Sequence, residues 1–239
     1  MTDIQAVHEY HTPARARRSR VRALVVVGAL ATAVGTLALP SGPAAAAPNG
    51  AAPKAIGLVA ASPRAEDPAA ALAAESLQLL ERWRASGSSN DAAMFTAKRD
   101  SLAATIAERL ELDEAAMRTA WAGADLEHQR ALLAALSQLG VPYRRNTSKP
   151  GEGFDCSGLT TYAWAQAGFS LQRNSGAQIR AAGAREVDTA QAGDLIQYPG
   201  HVMMWLGVDM AIVHAPQRGR TVEVDVLKRR SVRFGDPTE

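Results

Sequence analysis

From residue 67 onward the chain repeats apolar residues at helical intervals, and after residue 140 it changes to short runs of β-forming residues. In 67–86, DPAAALAAESLQLLERWRAS, Leu72, Leu79, Leu80 and Trp83 recur near helical spacing, and Pro68 falls where a first turn tolerates it. The stretch 90–110 repeats the pattern with Met94, Phe95, Leu102, Ile106 and Leu110. A short helix is predicted over 113–122 behind Asp113, and a fourth over 125–140, opened by Asp125 and closed by Gly140. VPYRRNTSKPGEG (141–153) then reads as a loop, and CSGLTTYAWAQAG as a helix closed by Gly168. Short β-type runs follow at 194–198, 201–206, 211–215 and 221–227. Helices first and a meander of strands afterwards predict an α+β fold with an antiparallel sheet. There is no internal repeat.

The N-terminal end has a different texture. Five arginines (Arg15, Arg17, Arg18, Arg20, Arg22) precede an uncharged apolar run over 23–39, then Pro40 and the alanines 44–47. A positive start, an apolar middle and a small-residue end are the pattern of a secretory signal peptide, so residues 1–47 are expected to direct export. Pro48 is a poor first residue for a mature chain, which keeps an uncleaved anchor as the alternative. Residues 48–66, rich in Ala, Pro and Gly, read as a flexible linker. Residues 67–124 read as an α-helical segment of unassigned role and 125–239 as the domain carrying the chemistry.

Removing 1–47 changes the charge balance. The whole chain has 26 basic and 24 acidic residues. The leader takes five Arg and two acidic residues with it, leaving 21 against 22, a net charge of −1. The remainder therefore offers no electrostatic case for a nucleic-acid partner. Without its leader it is not expected at a membrane.

The chain has a single cysteine, Cys156, in GEGFDCSGL. One cysteine forms no internal disulfide, and an exposed thiol is a liability outside the cell unless it has chemistry to do. Asp155 precedes it as an N-cap, which places the thiol in the first turn of a helix. There the helix dipole and the free backbone N–H groups favour a thiolate and the oxyanion of a tetrahedral intermediate. A small buried cysteine packed as a hydrophobe is the competing reading. A cysteine nucleophile needs a base, usually His. Of the five histidines, His8 and His11 fall in the leader and His128 falls on what reads as a polar helix face. His201 and His214 remain. A hairpin centred between Gly207 and Val208 pairs 206 with 209 and sets His201 directly opposite His214, on one face. Such a pair gives a base and a group that orients it; two half-exposed strand histidines are the bland alternative. Zinc held by Cys156, His201 and His214 is the metal reading, but neither CxxC nor HxxxH is present, and no metal or cofactor is expected.

The motifs VPY (141–143), GFDCSGLTTYAW (153–164), LQRNSGAQ (171–178), AGDLIQY (192–198), GHVMMWLG (200–207) and IVHAP (212–216) occur in order. Together they resemble the NlpC-type cell-wall peptidases, papain-like cysteine enzymes of bacteria, over about residues 125–228. The resemblance implies a papain-like α+β fold and cleavage of peptidoglycan stem peptides, usually between D-γ-glutamyl and a diamino acid. Matched residue by residue, it makes Cys156 the nucleophile, His201 the base and acid, and His214 the polar residue that orients His201. In the mechanism it implies, a Cys156 thiolate faces His201 as imidazolium before attack. Tyr143 matches a tyrosine beside the site, and Asp155 and Ser157 match positions that hold the free amine end of the substrate. Arg173 is read as structural.

Three features depart from the family pattern. Arg144, Arg145 and Asn146 stand where an aromatic and glycines usually follow the tyrosine. The loop before His201 is short. His201 and His214 are one residue further apart than usual. Two other functions fit the same fold: a thiol-dependent acyltransferase or amidase, and a non-catalytic wall-binding module. The helical segment is expected to pack on the catalytic domain, to bind a protein partner, or to cover the cleft.

Overall fold

The computed structural model describes residues 67–239 apart from 229 and 230. The expected signal peptide and linker lie outside the described residues. Helix α1 (Pro68–Ser86) starts where the Asp67 carboxylate accepts the N–H of Ala69, and it stops at Gly87, which adopts the left-handed conformation (φ 64°). Helix α2 (Ser89–Leu110), capped by Ser88, returns antiparallel, and Arg109 near its end grips Asp67 through two hydrogen bonds of 2.7 Å. Helix α3 (Glu114–Gly123) is capped by Asp113 and helix α4 (Leu126–Leu136) follows Asp125.

The fourth helix is one turn shorter than expected. Residues 137–140 form turns, and the N–H of Gly140 bonds the carbonyl of Val222 at 2.9 Å while Val222 N–H bonds Val141 O at 2.7 Å. These two bonds draw the chain off the helix axis and onto the sheet.

Strands β1 (Ser148–Lys149) and β2 (Gly153–Phe154) form a two-residue ribbon, and helix α5 (Cys156–Ala167) follows it directly. Helix α6 (Ser175–Ala181) and strands β3 (Gly183–Arg185), β4 (Leu195–Tyr198), β5 (His201–Trp205), β6 (Ala211–His214), β7 (Glu223–Val226) and β8 (Arg233–Asp236) complete the order. The six strands from β3 onward make one antiparallel sheet in the order β3-β8-β4-β5-β6-β7. The fold is α+β, with the cysteine-bearing helix packed on an antiparallel sheet, as the strand meander predicted.

One hydrophobic core joins the early helices to this sheet. Leu80, Phe95, Leu102, Ile106 and Trp121 are buried with Leu132, Leu136, Trp164, Val202, Met204 and Val213. Trp121 donates its indole N–H to the carbonyl of Leu206 at 2.8 Å, so α3 is hydrogen-bonded to the end of β5. The other face of the sheet carries a smaller cluster of Ile196, Met203, Trp205, Ile212 and Phe234.

His128 does not lie on an exposed polar face. It is fully buried on α4, with Nε2 3.0 Å from Asp194 and 3.2 Å from Asp236, while Arg185 holds Asp236 at 2.7 Å. The ring therefore ties α4 to the residue before β4 and to the end of β8. Burying His128 is tolerated because its Nε2 meets two carboxylates and Asp236 is in turn paired with Arg185.

Candidate active site

The start of α5 is fixed by Asp155. Its Oδ1 accepts the N–H of Gly158 at 2.7 Å and its Oδ2 accepts the N–H of Asn146 at 2.6 Å. One carboxylate thus caps the helix and anchors the loop between Tyr143 and β1. Only glycine fits at 158, because a Cβ there would run into the carbonyl oxygen of Thr147. Cys156 is the first residue of the helix, partly exposed and unpaired. Gly158 N–H is taken by the cap, which leaves the amides of Cys156 and Ser157 at the helix start.

Arg173 closes the far side. Its guanidinium pairs with Asp155 at 2.8 Å and 2.9 Å, donates to Ser157 Oγ at 2.8 Å and reaches Thr147 O at 3.2 Å. Arg173 lies outside the site expected from the sequence, because no spacing rule links it to a cap 18 residues earlier. Asp155, Ser157 and Arg173 line a polar cavity of about 380 Å³ with Asn146, Asn174 and Ser175.

Tyr143 lies against this helix start, bridged to Phe154 and with its N–H on Arg220 O at 2.8 Å. Its hydroxyl pKa is raised, first by burial and then by the nearby Cys156 sulfur and Asp155 carboxylate. Arg145 and Arg218 oppose that rise.

The two histidines are brought together, by a register other than the expected one. The β5–β6 pairs are Met204 with Val213 and Trp205 with Ile212, so the hairpin is centred between 208 and 209 and its pairing is shifted by two residues from the expected register. Leu206 N–H bonds Ala211 O at 2.9 Å and closes a four-residue loop, 207–210, in which Gly207 has φ 85° and Asp209 φ 47°. Trp205 Nε1 bonds the carbonyl of Asp209 at 3.0 Å and holds the wider loop in place. A shift by an even number keeps every side chain on its face. His201 and His214 are therefore diagonal neighbours, and His201 Nε2 meets His214 Nδ1 at 2.9 Å.

Both rings are only 8% exposed. Burial lowers the His201 pKa to about 4. Burial, and next the His201 ring beside it, lower His214 to about 4 as well. His201 faces Tyr198 across the β4–β5 hairpin, ring centroids 5.4 Å apart. On the other side, His214 Nε2 lies 3.4 Å from Oε1 of Glu223, its direct partner in the β6–β7 ladder. Glu223 was not anticipated from sequence, although TVEVDVL alternates Glu223 and Asp225 against valines and so places both on one face.

Helix α5 packs against β5, the strand that opens with His201. No hydrogen bond joins Cys156 Sγ to either imidazole among the described residues. In unliganded sites such contacts are often long and tighten only with substrate. Among the described residues, the His, Cys, Asp and Glu groups whose ligand atoms lie within 4.8 Å of one another are His128, Asp194 and Asp236, and His214, Glu223 and Asp225. Cys156 is in neither.

A helix-start cysteine, packed on an antiparallel sheet that carries a hydrogen-bonded imidazole pair, defines a papain-like α+β class of protein. Residues 140–233 match the model of the NlpC/P60 family, and the chain belongs to that family. It is 32% identical to the P60 domain of an antigen from Mycobacterium avium subspecies paratuberculosis, covering 47% of this chain and 96% of that one, with a TM-score of 0.42. It is 38% identical over 95 residues to a γ-D-glutamyl-L-lysine dipeptidyl-peptidase of Bacillus cereus, covering 36% of this chain and 28% of that one. It is 28% identical to RipD of Mycobacterium tuberculosis, described as a non-catalytic NlpC/P60 domain protein adapted to peptidoglycan binding, covering 47% of this chain and 98% of that one, with a TM-score of 0.39. The chain spans about a quarter to a half of the length of the curated relatives it matches.

Proposed function

We propose that this protein is an exported cysteine peptidase of the bacterial cell wall that cuts peptidoglycan stem peptides at a D-γ-glutamyl–diamino acid bond. The observation that carries the reading is the 2.9 Å imidazole pair of His201 and His214 on the strands beside the helix that opens with Cys156. The likeness to a γ-D-glutamyl-L-lysine dipeptidyl-peptidase supports the bond.

Burial alters the resting state that the family resemblance implied. With both imidazoles pushed down to about 4, the site at neutral pH holds neutral rings instead of a preformed imidazolium. His201 then removes the thiol proton as Cys156 Sγ attacks the carbonyl carbon. The oxyanion is met by the amides of Cys156 and Ser157 at the helix N-terminus. His201 passes its proton to the leaving amine, the C–N bond breaks and a thioester remains. Water, deprotonated by His201, hydrolyses the thioester and restores the thiol. His214 fixes the ring of His201 throughout.

Tyr143, Asp155 and Ser157 border the substrate. Arg145 and Arg218, both exposed and near Tyr143, suit the carboxylates that stem peptides carry. Asp155 is already paired with Arg173, so its first role is to hold the helix start and its second to present one edge of the polar cavity to an amine.

Mass spectrometry of muropeptides incubated with the mature chain and with Cys156→Ala tests the proposal. Hydrolysis by the first and none by the second is expected. Amine-capped products would instead identify an acyltransferase. Binding without turnover would identify a wall-binding module, a reading weakened by the presence of Cys156, His201 and His214 together.

A further inference from the structure

Three neighbouring strands each place one polar side chain on a single line. β5 opens with His201, β6 closes with His214 and β7 opens with Glu223. His201 Nε2 meets His214 Nδ1 at 2.9 Å, and His214 Nε2 faces Glu223 Oε1 at 3.4 Å. Both outer atoms are buried, and their 3.4 Å contact falls short of an aligned hydrogen bond, so His214 Nε2 has no hydrogen-bond partner among the described residues. A buried imidazole nitrogen without a partner is costly, and Glu223 Oε1 is the carboxylate oxygen that faces His214 Nε2. Arg220 holds both carboxylate oxygens, with Nε 3.1 Å from Oε2 and Nη2 against Oε1. Asp225, two residues along β7, is the remaining charged group grouped with His214.

We propose that Glu223 is a positioning residue that sets the direction of the hydrogen bonds along this line, and through them the bare nitrogen of His201. A carboxylate held by an arginine only accepts. His214 must then carry its proton on Nε2 and present a bare Nδ1. His201 must donate from Nε2, which leaves its Nδ1 bare and able to take the proton of Cys156. The opposite arrangement, with His214 donating from Nδ1, puts a proton on Nδ1 of His201 and removes the base. The tautomer of one ring is set by the bond the other nitrogen makes, and here that rule runs through two rings in series. The inference rests on the assignment of Cys156 and His201 as nucleophile and base.

Nitrogen-15 NMR of the imidazoles at neutral pH, on the mature chain and on Glu223→Leu and Glu223→Gln, reads the tautomers directly. kcat and KM on a purified stem tetrapeptide are measured in parallel. Both rings are expected to carry their proton on Nε2 in the native chain. In Glu223→Leu, His214 should lose that preference and kcat should fall about tenfold or more with KM kept. Glu223→Gln still offers an accepting oxygen and should recover part of the loss. A native His214 protonated on Nδ1, or unchanged tautomers and kcat in Glu223→Leu, overturns the proposal. If Glu223→Leu does not fold, the native spectrum and Glu223→Gln decide it. If the native chain cuts no stem peptide, the hydrolase reading fails while the tautomers still report on Glu223.

Discussion

His201 and His214 share a hydrogen bond of 2.9 Å across a diagonal of the β5–β6 ladder. Only Met204–Val213 and Trp205–Ile212 are direct pairs there. Beyond Met204 the two strands are joined by the imidazoles in place of the ladder. The pair is held from outside by Tyr198 on one flank and Glu223 on the other. Its geometry therefore depends on four strands, β4 to β7, which gives the site a rigid base and makes His214 sensitive to changes on β7.

Replacing either imidazole should have unequal effects. His201→Ala removes the proton carrier and is expected to lower kcat by about 10²–10⁴-fold. His214→Gln keeps a polar partner for Nε2 of His201 and should lose less. Steady-state rates on a stem tetrapeptide check the order; a greater loss in His214→Gln would reverse the roles.

Acid should destabilise the fold through the same two rings. Each has a folded pKa near 4 against an ordinary value near 6.5. Between those values the unfolded chain binds protons that the native chain does not. The stability they contribute is therefore complete above pH 6.5 and is lost as pH falls toward 4. Urea unfolding at pH 7 and pH 4.5 should show a loss that is smaller in a His201→Gln, His214→Gln double variant. An equal loss in both proteins would place the acid sensitivity elsewhere.

The early helices should prove inseparable from the sheet. Trp121 is 1% exposed and bonded to Leu206 O. Trp121→Ala is expected to cost about 3–5 kcal/mol, read as a fall in the urea midpoint. A fragment beginning at residue 125 should expose the core faces of Leu132, Leu136 and Leu206 and be recovered aggregated. A soluble, cooperatively folding fragment would contradict this.

Asp155 has two assigned duties, one structural and one toward the substrate. Asn can keep the cap on Gly158 N–H but offers one accepting oxygen where Asn146 N–H and Arg173 also need one, so Asp155→Asn should lower the unfolding midpoint. It loses the charge that Arg173 and a substrate amine both meet, so KM should rise. An unchanged KM would leave Asp155 with the structural duty alone.

Much of this architecture was readable from local pattern. Asp113 and Asp155 bond the first turns of their helices as their positions suggested, whereas Asp125 makes no side-chain cap bond. The runs at 194–198, 201–206, 211–215 and 221–227 became β4 to β7. What was not readable depends on distant partners. β8 is four residues long, and it becomes a strand only because β3 and β4 accept it between them. The burial of His128 needs Asp194 and Asp236, which are far along the chain. The register shift of two residues comes with a four-residue loop in which Trp205 bonds the carbonyl of Asp209, a contact that no alternation rule contains. The same-face placement of His201 and His214 survived because the error in register was even.

The most direct test is the alkylation rate of Cys156 by iodoacetamide at pH 7, compared between the native chain and His201→Ala, with modification located by mass spectrometry. A sulfur served by a neighbouring base should react rapidly in the first and slowly in the second. Identical rates in the two proteins, or no modification of the native thiol, would contradict the assignment of His201 as its base.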